Sequence, residues 1–198
     1  ATEDILKITK AADALAESTD LAGDEAALLL TRMLELSGEG VGNIDNLAGA
    51  IVELGNSAKA SESEIAFMTK EILAGTQAID LSTAAAAGLG TTLKELGQPA
   101  ERSRSAFLRL SQVINNAVKD GGDELEKLQQ VTGRTATQLE QDLGSRPEAV
   151  LQQFLEGLQR LDDSGQTVDK TLRSFSITST DTLAVVETLA ANTDRLQR

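Results

Sequence analysis

The fold of this chain is decided by a pattern that residues 44–72 and residues 86–114 share: IDNLAGAIVELGNSAKASESEIAFMTKEI and AAGLGTTLKELGQPAERSRSAFLRLSQVI. In each stretch, apolar residues at helical spacing lead to a glycine, and a second apolar helical face follows. Equivalent positions lie 42 residues apart: Gly55 and Gly97, Ile65 and Phe107, Met68 and Leu110, Ile72 and Ile114. This fixed offset predicts an internal pseudo-repeat of one helix–turn–helix unit.

The rest of the chain has the same helical character. Apolar residues recur at spacings of three and four, as in Ile5, Ile8, Ala12 and Leu15, which is typical of one buried helix face. No stretch alternates with period two for long enough to predict a strand. The sequence therefore predicts an all-α protein, with multiple short helices in an elongated bundle or a helical-repeat-like stack with glycine-capped turns.

Polar residues and glycines mark where these helices begin and end. Ser or Thr followed three residues later by Glu or Gln predicts a capping box; the pairs are Ser61–Glu64, Thr135–Gln138 and Ser145–Glu148. Asp24, Ser82 and Ser179 are single N-cap candidates. Glycines that follow an apolar run predict left-handed C-terminal caps; they are Gly55, Gly97, Gly121, Gly122, Gly133 and Gly144.

Composition predicts a thin core. Hydrophobic residues make up 40% of the chain, but aromatic residues only 2%, with no Trp or Tyr. Aromatic side chains usually dominate core energetics, so we expect helices to touch along narrow seams of Ala and Leu. Residues 84–87 are all alanine, and such small side chains allow a neighbouring helix to approach closely.

Charge and residue usage exclude several classes of function. The net charge of −13 disfavours binding to nucleic acid or to an anionic membrane, because phosphate recognition depends on clusters of Lys and Arg. The chain has no Cys and no His, so thiolate chemistry and the common zinc sites are excluded. No run of about 18 apolar residues predicts a transmembrane helix.

Three features could carry chemistry, and each has a simpler structural interpretation. The dipeptides Glu17-Ser18 and Glu62-Ser63 resemble the catalytic Glu-Ser of lytic transglycosylases, but acidic residues are also favoured in first helical turns. Asp162, Asp163 and Asp169 could attract a cation, although their spacing does not match a calcium loop. The glycines of residues 38–42 resemble a phosphate loop, without its strand or its Lys. We therefore predict no catalytic, cofactor or metal site, and no enzyme.

An ordered series of short motifs is more specific. It consists of Ile51-Val52-Glu53-Leu54-Gly55-Asn56-Ser57, Ser63-Glu64-Ile65, Leu96-Gly97 after a small-residue helix, Val131-Thr132-Gly133, Pro147-Glu148-Ala149, Phe154-Leu155-Glu156-Gly157-Leu158, the segment from Leu172 to Ile177, and Leu189-Ala190. In this order the motifs resemble the core region of phage tail tape-measure proteins, over residues 21–198. One departure is Ser174-Phe175-Ser176-Ile177, where the family often has Leu-Gly-Ile.

The resemblance implies structural work rather than catalysis. Tape-measure proteins occupy the lumen of the tail tube, set tail length during assembly and are released at genome ejection. The implied partners are the tail-tube protein, the tail assembly chaperones and the tail-tip or baseplate proteins, and self-association stays an option. The implied locations are the virion and, during assembly, the host cytoplasm. In this interpretation residues 1–20 end a longer upstream helix, and 21–198 form one helical domain that contains the pseudo-repeat.

Two other classes of function remain open. The first alternative is an all-helical protein-binding scaffold that presents a groove to a partner helix, without catalysis. The second is a muralytic enzyme, which would depend on the two Glu-Ser dipeptides. The parent gene would separate the first alternative from a tape measure, because a ruler lies in a very long helix-rich protein among tail genes. A peptidoglycan-clearing assay would test the second.

Overall fold

A computed structural model describes residues 2–197, with the side chain of Gln197 left aside. This part of the chain contains eleven α-helices and no β-strand, which confirms the all-α prediction. The helices are α1 Thr2–Ser18, α2 Gly23–Ser37, α3 Ile44–Ser57, α4 Glu62–Gly75, α5 Thr83–Glu95, α6 Ala100–Asp120, α7 Gly122–Thr132, α8 Ala136–Ser145, α9 Pro147–Asp163, α10 Val168–Ser174 and α11 Thr180–Ala190. Short 3-10 turns lie at Val41–Asn43 and Thr193–Gln197.

The chain folds into two compact units that interleave along the sequence. Unit 1 comprises residues 1–74 and 80–100, and unit 2 comprises residues 75–79 and 101–198. Helix α1 packs on α2 and α3 and is therefore part of unit 1. The structure thus divides the chain elsewhere than at residue 20. That residues 1–20 end a longer upstream helix stays a prediction.

Unit 1 is built from α1 to α5 around aliphatic side chains. Its fully buried residues include Leu15, Leu30, Met33, Ile51 and Ile65. Each comes from a helix face with apolar residues three or four positions apart, so the periodic pattern is the face that packs. Helices α4 and α5 approach each other closely at Gly90, where a Cβ would lie 3.2 Å from the backbone nitrogen of Thr69. That another helix also approaches the alanines of residues 84–87 stays a prediction.

Unit 2 has the aromatic part of the core. Phe107, Phe154 and Phe175 are each at most 2% exposed. The rings of Phe154 and Phe175 meet edge to face, with centroids 5.7 Å apart, which is a favourable arrangement for two aromatic quadrupoles. Helices α7 and α9 pack so closely at Gly157 that no side chain fits between them: a Cβ there would lie 2.7 Å from the carbonyl carbon of Val131.

Local side-chain chemistry fixes most of the helix starts. Both hydrogen bonds of a capping box are present at Ser61–Glu64 and at Thr135–Gln138, which confirms those two predictions. The hydroxyl oxygens of Ser82 and Ser179 accept from the third residue of their helices, as predicted.

Two predicted caps are wrong. Asp24 lies inside the first turn of α2, whose N-cap is Ala22. Ser145 is the last residue of α8, where its hydroxyl donates to the carbonyl oxygen of Gln141, and it therefore lies one residue before the N-cap position of α9. Arg146 takes the N-cap position, and Pro147 begins α9 as predicted.

Glycines end some helices and continue others. Gly97 and Gly133 have φ 72° and follow α5 and α7 in the left-handed conformation that ends a helix, as predicted. Gly121 and Gly122 also have positive φ, but Gly121 has ψ −148° and is the N-cap of α7, and Gly122 is the first residue of α7, so neither is the predicted left-handed cap. The prediction is also wrong at Gly55 and Gly144, which lie inside α3 and α8.

At Gly55 the missing side chain serves packing instead of termination. A Cβ there would overlap the Cγ of Glu62, the first residue of α4. Helix α3 consequently runs two residues past Gly55, whereas α5 ends two residues before Gly97. The two halves of the 42-residue pattern share their order of helices but not their turns.

The turn after α10 has a left-handed serine. Ser176 has φ 59°, and its backbone N–H donates to the carbonyl oxygen of Arg173 (2.9 Å), while that of Ile177 donates to Leu172 (3.1 Å). These two bonds form a Schellman motif, a helix end that normally uses glycine. The departure from Leu-Gly-Ile therefore changes the residue type and keeps a left-handed turn.

Two cations hold this helix end. Arg109 Nη2 donates to the carbonyl oxygen of Ser176 at 3.0 Å, and Lys127 Nζ donates to that of Ser174 at 2.9 Å. Positive charge at a helix C-terminus is favoured because the carbonyl groups carry the negative end of the helix dipole. The turn is thus fixed by α6 and α7 as well as by its own backbone bonds.

Candidate functional site

The two Glu-Ser dipeptides lie at helix ends and have structural contacts. Glu17 and Ser18 are exposed at the end of α1, where the hydroxyl of Ser18 donates to the carbonyl oxygen of Ala14 at 3.0 Å. Glu62 begins α4 and lies against Gly55. The hydroxyls of Ser63 and Ser61 hydrogen bond at 3.0 Å. Glu62 thus lies in a first helical turn, as its simpler interpretation predicts, whereas Glu17 lies in the last turn of α1.

The glycine-rich turn at residues 38–42 holds a carboxylate at a helix N-terminus. Glu39 accepts from the backbone N–H of Thr83 at 2.9 Å and from its hydroxyl at 2.8 Å, and Asn43 Nδ2 also donates to it. Thr83 is the first residue of α5. The negative charge of Glu39 therefore takes the position at this N-terminus that an anion would otherwise favour.

The aspartates considered as cation ligands lie in an open cleft of unit 2. The cleft has a volume of about 420 Å³ and is lined by α9, α10 and α11, with Asp162, Asp169 and Glu187 on its walls. Both carboxylate oxygens of Asp169 lie 2.9 Å from Arg173 Nε, so this group already has a cationic partner. Among the described residues no three acidic side chains are placed to hold a metal ion.

Glu187 is the perturbed group of this cleft. Burial raises its pKa above the ordinary value of 4.5, and the charges of Asp169 and Asp162 raise it further, while Arg173 lowers it. Glu187 lies on α11, far in sequence from both aspartates, so the sequence pattern did not single it out. The cleft is an acidic surface depression, and its geometry does not by itself define a ligand.

A second depression lies on unit 1, between α1 and α3. It is a groove of about 590 Å³, with Ala11, Ala14, Ala48 and Gly49 among its lining residues. Its rim has Lys10 on α1 and Asp45 and Glu53 on α3, and Val52 is half-buried on its wall. The small side chains on both helices leave this space open. In the sequence, the signal for it is Ala11 and Ala14, three residues apart on α1, together with the adjacent Ala48 and Gly49 on α3.

No membrane-spanning helix is found in residues 2–197, since none of their helices is both long and apolar enough. No family model, curated protein or solved structure matches the chain.

Proposed function

We propose that this chain is the core segment of a phage tail tape-measure protein, a structural and non-enzymatic role. The observation that carries the proposal is the ordered series of motifs across residues 21–198, from Ile51-Val52-Glu53-Leu54-Gly55 to Leu189-Ala190. In this role the segment occupies the lumen of the tail tube, contributes to tail length and leaves at genome ejection. Its location is the virion, after assembly in the host cytoplasm.

An all-helical chain is compatible with a molecular ruler, because a helix converts residue number into length at a fixed rise. As one continuous helix, the segment would span roughly 300 Å at 1.5 Å per residue. Its helix ends oppose that form. Residues with positive φ, such as Gly97, Gly121, Gly133 and Ser176, separate one helix from the next. The folded units are therefore not one continuous helix.

The proposal therefore includes a rearrangement in which the compact units open or elongate inside the tube. Opening exposes side chains that are fully buried in each unit, such as Met33, Ile51, Phe107 and Phe154. Exposing each such apolar side chain to water costs about 1.5–3 kcal/mol of free energy. The extended form consequently needs replacement contacts, from the tail-tube protein or from neighbouring copies. Before the tube forms, tail assembly chaperones would cover the same surfaces.

An in-frame deletion of residues 21–198 from the parent gene tests the length function. If the segment is extended as helix in the tail, the deletion shortens the tail by about 270 Å at 1.5 Å per residue, measured by electron microscopy. The control replaces the segment with an unrelated helical sequence of equal length, which should restore the length. An unchanged tail after deletion would refute the ruler role. A tube-bound structure with the same compact helices would refute the rearrangement.

The alternative is a helical protein-binding scaffold. The open groove between α1 and α3 favours it, since grooves between helices commonly accept a further helix. If the deletion leaves tail length unchanged and abolishes binding of a partner, the scaffold is the better description.

A further inference from the structure

The groove between α1 and α3 has the shape of a helix-binding surface. Its floor consists of alanines and Gly49, while the apolar side chains of Leu15 and Val52 lie along it. Packed helices lie 8–10 Å apart, and the shorter distances require small residues at the contact. No described atom lies within 4 Å of a Cβ built on Gly49. A further helix can therefore approach α3 at this point without moving the chain.

Negative charge is distributed unequally between the two units, and the groove lies on unit 1, which is the more acidic. Unit 1 contains 16 acidic and 6 basic residues, a net charge of −10, whereas unit 2 contains 15 acidic and 12 basic residues, a net charge of −3. Most of the total charge of −13 thus belongs to unit 1. A partner that binds unit 1 gains electrostatic attraction if it is basic, and a second copy of this chain would be repelled.

The charged side chains that line the groove are Lys10 on α1 and Asp45 and Glu53 on α3, and further acidic residues lie outside it on unit 1. Between Lys10 and Arg32 the sequence has no basic residue, and it has five acidic ones that are all exposed: Asp13, Glu17, Asp20, Asp24 and Glu25. On the α3 side the rim carries Asp45 and Glu53, also exposed. A helix that lies in the groove is thus next to the two carboxylates on the α3 rim and to Lys10 on the α1 rim, within a unit of net charge −10.

We propose that this groove is the docking site for an amphipathic helix of another protein, with an aliphatic stripe flanked by lysines or arginines. The stripe would lie on the small-residue floor, and the basic flank that faces α3 would pair with Asp45 and Glu53. The inference rests on the groove and its charge, and does not depend on the tape-measure assignment.

A pair of synthetic helices tests both parts of the proposal. Each peptide has about five turns, ~18 residues, and the same Leu and Ala stripe; one has Lys on both flanks and the other has Glu. Binding to the full chain is measured by fluorescence anisotropy with a labelled peptide. We expect the Lys peptide to bind and the Glu peptide to bind at least tenfold more weakly. Equal binding of the two, or no binding of the Lys peptide, would overturn the proposal.

Filling the groove separates docking from diffuse attraction to an acidic protein. Gly49→Leu places a side chain on the floor, and Gly88→Leu is the matched control, because Gly88 is also helical, also in unit 1 and also without described atoms within 4 Å of a built Cβ. We expect Gly49→Leu to weaken the Lys peptide at least tenfold and Gly88→Leu to leave it unchanged. Equal affinity for both variants would show that the peptide binds elsewhere.

Two further measurements complete the test. The double variant Asp45→Asn, Glu53→Gln should weaken the Lys peptide and reduce the salt dependence of its binding, while circular dichroism confirms that the fold is retained. Sedimentation of the chain and of Gly49→Leu examines the other occupant of the groove. A chain that is dimeric as wild type and monomeric as Gly49→Leu would overturn the proposal, because a second copy would then fill the groove.

Discussion

The left-handed serine after α10 gives the sharpest prediction. Ser176 has φ 59° and an exposed side chain, so Ser176→Gly removes a backbone conflict and little else. A left-handed conformation costs an L residue about 1–2 kcal/mol. Glycine offsets about 0.4–1 kcal/mol of this gain, because it increases the conformational entropy of the unfolded chain. We therefore expect Ser176→Gly to raise the free energy of unfolding by about 0.5–1 kcal/mol.

The matched control is the same substitution two residues earlier. Ser174 ends α10, and its hydroxyl donates to the carbonyl oxygen of Thr171 at 2.7 Å. Glycine at a helical position is destabilising by roughly 0.5–1 kcal/mol. Ser174→Gly should thus lower stability while Ser176→Gly raises it, although both replace an exposed serine by glycine.

Urea denaturation followed by circular dichroism at the helical band measures both variants, since the chain has no Trp or Tyr to report by fluorescence. For an m-value of about 2 kcal/mol/M, the expected gain moves the midpoint up by roughly 0.3–0.5 M. In thermal unfolding it raises Tm by about 1–4 °C. A loss of stability in Ser176→Gly, or equal effects of the two variants, would refute the assignment of a strained left-handed turn.

Three other predictions follow from packing, capping and charge. Gly157→Ala should lower the free energy of unfolding by about 2–3 kcal/mol, because the added Cβ meets the backbone of α7. Gly144→Ala, at an exposed helical position, should raise it by roughly 0.5–1 kcal/mol; urea denaturation measures both. Glu39→Gln should lower the free energy of unfolding by about 1–2 kcal/mol, because it weakens the hydrogen bonds that cap α5. The exposed Glu35→Gln should lower it by about 0.5 kcal/mol or less. Glu187→Gln should stabilise the fold at neutral pH, where the charged carboxylate opposes folding, and this gain should vanish in urea titrations below the ordinary pKa of 4.5.

The sign of the last prediction follows from linkage. The pKa of Glu187 is raised in the fold, so the folded state binds its proton more tightly than the unfolded state does. The penalty is present above the folded pKa and is lost as the pH falls. A gain that persists at low pH would contradict this explanation. Similar losses at residues 157 and 144 would contradict the close crossing of α7 and α9, and a loss in Glu35→Gln as large as in Glu39→Gln would contradict the capping role of Glu39.

Helix class and several helix starts could be predicted from sequence because their causes are local. A Ser or Thr and the Glu or Gln three residues later satisfy each other's backbone, as Ser61 and Glu64 do at 3.1 Å and 3.3 Å. Such bonds depend on four consecutive residues and on little else. The apolar period of each helix is equally local, and it identified the buried faces.

Glycine roles could not be predicted in the same way, since they depend on what lies opposite. Gly97 and Gly55 follow the same Glu-Leu dipeptide, yet one ends a helix and the other makes room for Glu62. Gly75 ends α4, and a Cβ there would lie 2.6 Å from the carbonyl oxygen of Arg104. These contacts join residues distant in sequence, which a single sequence does not reveal.

The candidate surfaces were hidden for the same reason. The groove requires α1 and α3 to lie side by side, and the acidic cleft brings Glu187 to Asp162 and Asp169 from another helix. Composition revealed the total negative charge but not its concentration on unit 1. Unit 1 buries aliphatic and methionine side chains, whereas in unit 2 three phenylalanines occupy fully buried positions.

The interleaved path of the chain has a consequence for how the protein is made and cut. Residues 75–79 belong to unit 2, although unit 1 continues until residue 100. During synthesis this segment emerges before the residues of 101–198 that complete its unit, so it remains without those partners until they have left the ribosome. A single proteolytic cut also cannot yield both units intact, because a cut at residue 100 leaves residues 75–79 on the wrong fragment.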